Sequence, residues 1–157
     1  MPNLINFTKL NDEQKMMVFT WRNDERVAKF MRSKNIALNK HLKFIESLKN
    51  ACDKLYFLVE EDSEFIGVID FININDNECE FGLYANPNLK NQGAKLMQII
   101  IDYAFRELKV SRLNSCAYNF NEKAIALYEK FGFEIYDKDE QMSYLRLEKT
   151  NLKVKTV

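Results

Sequence analysis

The sequence predicts one domain of the α/β class, in the α+β sense, with helices ahead of a largely antiparallel sheet. Apolar residues recur at helical spacing as far as Lys49, whereas β-branched and aromatic residues dominate from Lys54 to Tyr84. A long apolar helix then begins at Gly93, and a strand, a helix and two strands follow it. The 157 residues suit one hydrophobic core and are few for two, so we expect a single domain over residues 1–157.

The composition indicates the cellular compartment and excludes some classes of binding partner. Lysine and arginine equal aspartate and glutamate at 23 each, so the chain lacks the basic excess that nucleic-acid binding requires. Cys52, Cys79 and Cys116 show neither metal-ligand nor disulfide spacing, which indicates free thiols in a reducing compartment. No signal-peptide pattern and no apolar stretch of about 18 residues is present. We therefore expect a cytoplasmic protein that binds no metal, no nucleic acid and no membrane.

The N-terminal elements are predicted from caps and apolar spacing. Asn11 and Gln14 form the capping-box pattern at the start of a helix that ends near Asn23. A short strand precedes this helix around residues 4–7, a second helical piece covers residues 27–31, and a third helix covers residues 39–49. These segments form one helical block.

The remaining elements are predicted from turn residues and from a change in composition, because β-rich runs replace the helical spacing of apolar residues. Two β-rich runs, at 55–59 and 65–72, form a hairpin, and Asn75-Asp76-Asn77 is a turn that leads into a strand at 78–84. After the helix at 93–108, we expect a strand at 112–118, a helix at 122–130, strands at 133–136 and 143–147, and a loose tail from 149 to 157.

The loop before the long helix is a candidate anion site. The first turn of a helix has unpaired N–H groups and the positive end of the helix dipole. Gly93, at the start of this helix, lets the backbone approach a ligand closely. An ordinary strand-to-helix connection would have the same sequence features, so this stretch alone does not distinguish an anion site from a plain connection.

A second motif is more specific. The stretch N-x-x-A-x-x-x-Y-x-x-x-G-F runs from Asn121 to Phe133, with Asn121 as the N-cap of a helix and Gly132 as its left-handed C-terminal residue. Capping explains much of this pattern. The motif follows a strand, a glycine loop, a helix and one further strand. With this order of elements, the chain resembles the Gcn5-related N-acetyltransferase (GNAT) family over nearly its whole length.

This resemblance implies a mixed, mostly antiparallel sheet of about seven strands flanked by about four helices. The sheet would be splayed between its fourth and fifth strands, where acetyl-CoA would lie. The family's pyrophosphate loop, Q/R-x-x-G-x-G/A, matches residues 90–95, although Lys90 and Lys95 depart from it. The resemblance thus assigns cofactor binding to Lys90, Asn91, Gln92, Gly93, Ala94, Lys95 and Leu96, chiefly through backbone donors.

The same resemblance gives roles to residues around the thioester. The main chain at Leu83 and Ala85 would pair with the pantetheine arm, which Asn121 would also contact. Tyr128 would face the sulfur, and its phenol would protonate the leaving thiolate as general acid after direct attack by the amine.

The attacking amine must also lose a proton. Glu80 resembles the carboxylate that some relatives use as general base, although a solvated glutamate on a strand face would look the same. Asp70, on the neighbouring strand, is a weaker candidate, and Cys116 is interpreted as a core residue.

The N-terminal segments resemble one subgroup, the acetyltransferases of pseudaminic acid synthesis. The matching patterns include F-x-W-R-N, H-L-x-F-I-x-x-L-K and E-F-G-L-Y-A-N-P-N-L-K, within residues 4–148. This resemblance implies a small-molecule acceptor, UDP-4-amino-4,6-dideoxy-N-acetyl-β-L-altrosamine, acetylated at its 4-amino group. The acceptor-binding residues would be Arg22, Asn23, His41, Asn73 and Tyr84, with Trp21 supporting them from behind.

Other acceptors and functions stay open at this level. Protein N-termini and polyamine or aminoglycoside amines are the alternative substrates, and neither a peptide groove nor a markedly acidic pocket is evident in the sequence. A non-catalytic acyl-CoA sensor is the alternative outside enzymes, and it would have no need of Tyr128. Monomer and homodimer are both compatible with the sequence.

Overall fold

The computed structural model describes residues 2–152, in which seven strands form one sheet. The strands are β1 (Asn3–Asn6), β2 (Leu55–Glu61), β3 (Glu64–Ile72), β4 (Glu78–Ala85), β5 (Arg112–Tyr118), β6 (Glu134–Lys138) and β7 (Met142–Glu148). Their order is β1-β2-β3-β4-β5-β7-β6, and β4–β5 is the parallel pair in an otherwise antiparallel sheet. The predicted mixed sheet of about seven strands is confirmed.

Within residues 2–152, five α-helices flank the sheet: α1 (Asp12–Asn23), α2 (Glu25–Ala28), α3 (Leu38–Ser47), α4 (Gly93–Asp102) and α5 (Glu122–Lys130). The helix predicted as far as Leu108 changes its hydrogen-bond period after Asp102, and Tyr103–Glu107 form a π-helical turn. The Leu108 N–H closes this turn on the Tyr103 carbonyl at 3.0 Å. Ala104 and Phe105 are both buried in this turn.

Two apolar cores cover the two faces of the sheet. The larger core lies under α4 and α5 and includes Ile69, Phe71, Leu96, Ile100 and Leu113. The smaller lies under α1 and α3 and includes Val18, Trp21, Ile45, Leu58 and Val68. Because side chains alternate along a strand, Asp70, Glu80 and Tyr84 point to the second face, which we call the α1/α3 face.

The start of α1 is fixed by the predicted capping box. Asn11 Oδ1 accepts a hydrogen bond from the Gln14 N–H at 2.8 Å, and Gln14 Oε1 accepts one from the Asn11 N–H at 3.0 Å. Both bonds satisfy N–H groups that the first turn would otherwise leave unpaired. The cap therefore holds the helix that carries Trp21, Arg22 and Asn23.

We expect Asn11→Ala to lower the free energy of unfolding by about 1 kcal/mol, since the cap bond is lost while the helix remains packed. Urea denaturation followed by circular dichroism measures this change. Asn39→Ala is the matched control, because Asn39 is exposed on α3 and its Oδ1 accepts only from the adjacent Lys40 N–H. Equal stability of the two variants would contradict the predicted contribution of the cap.

The chain after β7 stays close to the sheet for a few residues. Lys149–Asn151 form a 3-10 turn, and the Lys149 N–H donates to the Ser111 carbonyl at 2.9 Å. Leu152 packs against the larger core. Residues 153–157, which complete the predicted loose tail, lie outside the described residues.

Candidate active site

The central feature of the sheet is a gap between β4 and β5. These strands pair at only three positions, Glu78 with Arg112, Cys79 with Leu113, and Glu80 with Asn114. Beyond these positions, β4 stays paired with β3 and β5 stays paired with β7, but β4 and β5 no longer pair with each other. The predicted opening between the fourth and fifth strands is thus confirmed.

The main chain of β4 is available along this gap. The Asn86 N–H donates to the Ile66 carbonyl on the β3 side at 3.0 Å, whereas the Phe81 carbonyl accepts from Ser115 Oγ on the β5 side at 3.1 Å. Because successive residues direct their main-chain groups to alternate edges of a strand, Leu83 and Ala85 face the gap, as Phe81 does. An extended ligand arm has main-chain partners there.

The loop between β4 and α4 is held by asparagine contacts. Asn86 Oδ1 accepts from the Asn88 N–H at 2.9 Å, and Asn86 Nδ2 donates to the Phe65 carbonyl at 3.0 Å. Asn91 has a left-handed backbone, with φ of 62°. Helix α4 then starts at Gly93 without a side-chain cap, so the first-turn N–H groups of Gly93 and its two successors stay available to an anion.

Three observations describe the residues around the start of α4. A Cβ at Gly93 would lie 3.0 Å from Leu127 Cδ2, so glycine also allows α4 to start close to α5. Lys95 Nζ lies 3.9 Å from Glu61 Oε2, which turns this lysine toward β2, and Gln92 Nε2 donates to the Lys90 carbonyl at 2.8 Å. Backbone donors, more than these side chains, make the candidate anion site.

Tyr128 lies on the other side of the gap, on α5. Its side chain is 7% exposed and packs edge-on against Phe81, with ring centroids 5.3 Å apart. Burial raises the pKa of Tyr128 to about 12, although a hydrogen bond with Ser115 acts in the opposite direction. The phenol therefore keeps its proton at neutral pH. Asn121, the N-cap of α5, accepts from the Ala124 N–H at 3.3 Å.

Arg22 is the principal cation of the α1/α3 face. Its Nη2 donates to the Ser33 carbonyl at 2.8 Å, whereas Nη1 is buried and has no hydrogen-bond partner within residues 2–152. Burial lowers the pKa of Arg22, and the phenols of Tyr84 and Tyr56 act in the opposite direction. The fold thus brings Arg22 and Tyr84 close together and leaves one guanidinium nitrogen without a partner among residues 2–152.

The other residues assigned to the acceptor make contacts of their own. His41 Nε2 lies 3.1 Å from the Lys15 carbonyl, and because a carbonyl only accepts, this contact places a proton on Nε2. Burial lowers the pKa of His41, so the ring is neutral and leaves Nδ1 as an acceptor. Asn23 bonds both main-chain groups of Ile36, at 2.8 and 2.9 Å. Asn73 is exposed in the turn after β3, with φ of 52°.

These contacts show which of the predicted acceptor residues also hold segments of the fold together. Asn23 and Arg22 hold the loop that follows α2, through Ile36 and Ser33 respectively. His41 joins α3 to α1. Acceptor binding by Arg22, Asn23, His41, Asn73 and Tyr84 stays a prediction. For His41, a phosphate contact would require exchange of the Lys15 hydrogen bond.

A carboxyl group stands at the centre of the same face. Asp70 lies opposite Tyr56 on β2 and opposite Gly82 on β4. Burial raises the pKa of Asp70 to about 7, and the neighbouring charge of Glu80 adds to this effect. Glu80 itself is exposed. In the sequence, the signal for this arrangement is Gly82, since a glycine inside an alternating strand marks a close approach.

The part of the chain that the structure describes contains no cluster of three or more side chains that could hold a metal ion. Nor does any helix between residues 2 and 152 have the length and apolarity needed to span a membrane.

Comparisons with known proteins agree with this geometry. Residues 5–134 match the family model described as an acetyltransferase (GNAT) domain. The acetyltransferase PseH of Campylobacter jejuni strain 81-176 is 44% identical over 153 residues, which are 98% of each chain. The crystal structure of C. jejuni N-acetyltransferase PseH in complex with acetyl coenzyme A has a TM-score of 0.83 and 42% identity, with coverage of 95% of this chain and 99% of that chain.

A spermidine N-acetyltransferase from Vibrio cholerae, solved with CoA and spermine, also has a TM-score of 0.83, but its identity of 17% over 96% of each chain shows the fold alone. The family match, the identity along nearly the whole chain and the splayed sheet agree. The chain belongs to the GNAT family of N-acetyltransferases.

Proposed function

We propose that this enzyme transfers an acetyl group from acetyl-CoA to the 4-amino group of UDP-4-amino-4,6-dideoxy-N-acetyl-β-L-altrosamine. This reaction is a step in the synthesis of pseudaminic acid, which bacteria attach to flagellin. The proposal is supported by 44% identity to PseH over 98% of both chains, and by the gap between β4 and β5 in this chain.

The gap and the start of α4 fit the cosubstrate. The main chain at Leu83 and Ala85 would pair with the pantetheine arm, and the uncapped N–H groups at Gly93 would bind the pyrophosphate. Asn121 uses Oδ1 for its cap, so Nδ2 would be the donor toward the pantetheine. Bound acetyl-CoA supplies the acetyl group as a thioester, and no metal is needed for this transfer.

The observation that carries the acceptor assignment is the unpartnered Nη1 of Arg22. A buried cationic nitrogen without a partner is costly, and a phosphate oxygen of a nucleotide sugar would satisfy it with a charge-assisted hydrogen bond. Tyr84 lies beside Arg22 and packs against the smaller core, where its ring would border the acceptor.

The same cation argues against a polyamine as the acceptor. A polyamine is a polycation, and Arg22 would repel it from this face. Tyr128 argues against a non-catalytic acyl-CoA sensor, because its phenol keeps its proton at neutral pH and would supply it to a leaving thiolate. A carboxylate on β3 or β4, with Glu80 as the sequence-based prediction, would remove the proton from the attacking amine.

The test is incubation of the purified protein with acetyl-CoA and a panel of UDP-amino sugars, polyamines and peptides, with free thiol release as the measurement. We expect release with the UDP-linked 4-amino sugar and none with spermidine or peptides. Mass spectrometry of the product identifies the acetylated amine. Activity confined to peptides or polyamines would overturn the proposed acceptor.

Two further predictions concern the state of the protein in the cell. The unpaired cysteines, Cys52, Cys79 and Cys116, support the predicted cytoplasmic location. Edge strand β6, with Ile135 and Tyr136 exposed, supports a homodimer, because an uncovered sheet edge is a template for pairing. Light scattering is expected to give twice the mass of the chain, and the mass of one chain would overturn the dimer.

A further inference from the structure

We propose that Asp70, rather than Glu80, is the group that accepts the proton from the attacking amine. This assignment rests on the proposed function and concerns the chemistry of the same site.

The position of Asp70 is set by a glycine. Asp70 faces Gly82 across the β3–β4 pair, and a Cβ at Gly82 would lie only 2.6 Å from Asp70 Oδ2. The carboxyl group therefore occupies the space above Gly82, on the strand that borders the gap. Any larger residue at position 82 would displace the carboxyl group, so the position of the Asp70 carboxyl depends on the glycine at position 82.

The contacts of Asp70 do not give its side chain a structural role. The carboxyl is enclosed by protein but keeps partial exposure, and within residues 2–152 neither a hydrogen-bond donor nor a cation stabilises its charge. An unpaired carboxylate in such a place opposes folding, and a neutral residue of similar size would avoid this cost. A site that needs a proton acceptor accounts for its presence.

Titratable groups on three elements face Asp70, and the negative charge of one of them, Glu80, raises its proton affinity. They are Tyr56 on β2, Glu80 and Tyr84 on β4, and Tyr128 on α5. The charge of Arg22 acts on Tyr56 and Tyr84, where it opposes the rise in their pKa. With burial and Glu80 holding its pKa at about 7, Asp70 is partly ionised at neutral pH and basic enough to take a proton.

Asp70 and Tyr128 approach the reacting atoms from opposite faces of the sheet. Asp70 stands on the α1/α3 face, whereas Tyr128 comes from α5 on the other face, and the negative charge of Asp70 contributes to the raised pKa of Tyr128. Such proximity across a sheet is available here because β4 and β5 separate after Glu80. A base and an acid thus border one opening.

The proton balance of the step is simple. The Asp70 carboxylate takes one proton from the substrate ammonium and leaves a neutral amine. The nitrogen then forms a bond to the acetyl carbon, and the carbon–sulfur bond breaks. Tyr128 gives its proton to the sulfur and recovers one from the new amide nitrogen. Asp70 finally returns its proton to water, so one proton is released for each acetyl group transferred.

We expect Asp70→Asn to lower kcat about 10²–10⁴-fold with an unchanged KM for acetyl-CoA. In the wild type, kcat/KM for the acceptor, which reports the pKa values of the free enzyme, should rise with pH around a midpoint near 7, and this rise should disappear in Asp70→Asn. Asp62→Asn, in the exposed β2–β3 turn, is the matched control and should behave as the wild type. Glu80→Gln should move the midpoint to lower pH, because a charge that raises the pKa of Asp70 is removed.

Thermal unfolding provides a readout independent of turnover. Because the folded-state pKa of Asp70 is raised, the carboxyl stabilises the protein least when ionised, so wild-type stability should fall as pH rises from about 4 through about 7. Asp70→Asn should lack this fall and melt above the wild type at pH 8.

The outcomes separate the two proposals. A wild type that does not acetylate the UDP-linked amino sugar overturns the proposed function. A wild type that does so, with Asp70→Asn equally active and showing the same rise with pH, overturns the role of Asp70. Loss of turnover in Glu80→Gln but not in Asp70→Asn would assign the base to Glu80.

Discussion

Replacement of Tyr128 by phenylalanine should lower kcat about 10²–10⁴-fold while acetyl-CoA still binds. The phenylalanine ring retains the packing against Phe81 and Phe133, and the substitution removes only the hydroxyl group. Without that group, the thiolate must leave unprotonated or wait for water. Steady-state thiol release measures kcat, and isothermal titration calorimetry measures acetyl-CoA binding.

The pKa of Tyr128 also sets what its pH dependence should be. With a pKa of about 12, the phenol remains protonated throughout an assay range of about pH 6–9, so Tyr128 itself should produce no fall in activity at alkaline pH. Tyr136→Phe, on the exposed edge strand, is the control for loss of a tyrosine hydroxyl. An unchanged kcat in Tyr128→Phe would remove Tyr128 as the general acid.

The second large effect is expected at Arg22. Arg22→Ala should raise the KM for the UDP-linked acceptor about 10- to 100-fold, because a charge-assisted hydrogen bond to phosphate contributes roughly 1.5–3 kcal/mol. The KM for acetyl-CoA should stay within about twofold. Initial rates with each substrate varied in turn measure both constants.

Variants at Arg22 and Arg26 distinguish the effect of losing the positive charge from the effect of disturbing the structure. Arg22→Lys keeps a cation but loses the planar fork, so its acceptor KM should lie between those of the wild type and Arg22→Ala. Arg26→Ala removes an exposed arginine that pairs with Asp24 at 2.7 Å, and it should leave both constants unchanged. If Arg22→Ala raised both constants equally, loss of the Ser33 contact and disorder of the loop would be the better explanation.

Most of the fold could be predicted because its signals are local. The capping box at Asn11 and the left-handed Gly132, with φ of 99°, are formed by neighbouring residues and appear in the structure as the sequence predicted. Strand periodicity and the family resemblance together placed all seven strands. The π-helical turn at Tyr103–Glu107 was not predicted, because the apolar residues of this segment recur at spacings of three and four, which is the pattern of an ordinary α-helix.

The placement of the candidate site residues was predictable where it depends on the backbone of one element or on a position along it. The start of α4 and the placement of Tyr128 on α5 are of this kind. The bonds of Asn23 to Ile36 and of His41 to Lys15 are not, since each depends on how separate segments pack. Asp70 was ranked below Glu80 because only strand register reveals Gly82 opposite it, and register is a tertiary property.

The three residue pairs between β4 and β5 have a consequence for the cohesion of the whole molecule. Together with the bonds that the Ser111 and Arg112 N–H groups donate to the Asn77 carbonyl, they link a four-stranded half, β1 to β4, to a three-stranded half, β5 to β7. A substrate lying in the gap would act as a removable eighth strand that ties the halves together. A ligand present at 1,000 times its Kd adds about 4 kcal/mol to the free energy of unfolding. The supply of acetyl-CoA would then govern how long each molecule survives heat and proteolysis, as well as how fast it works.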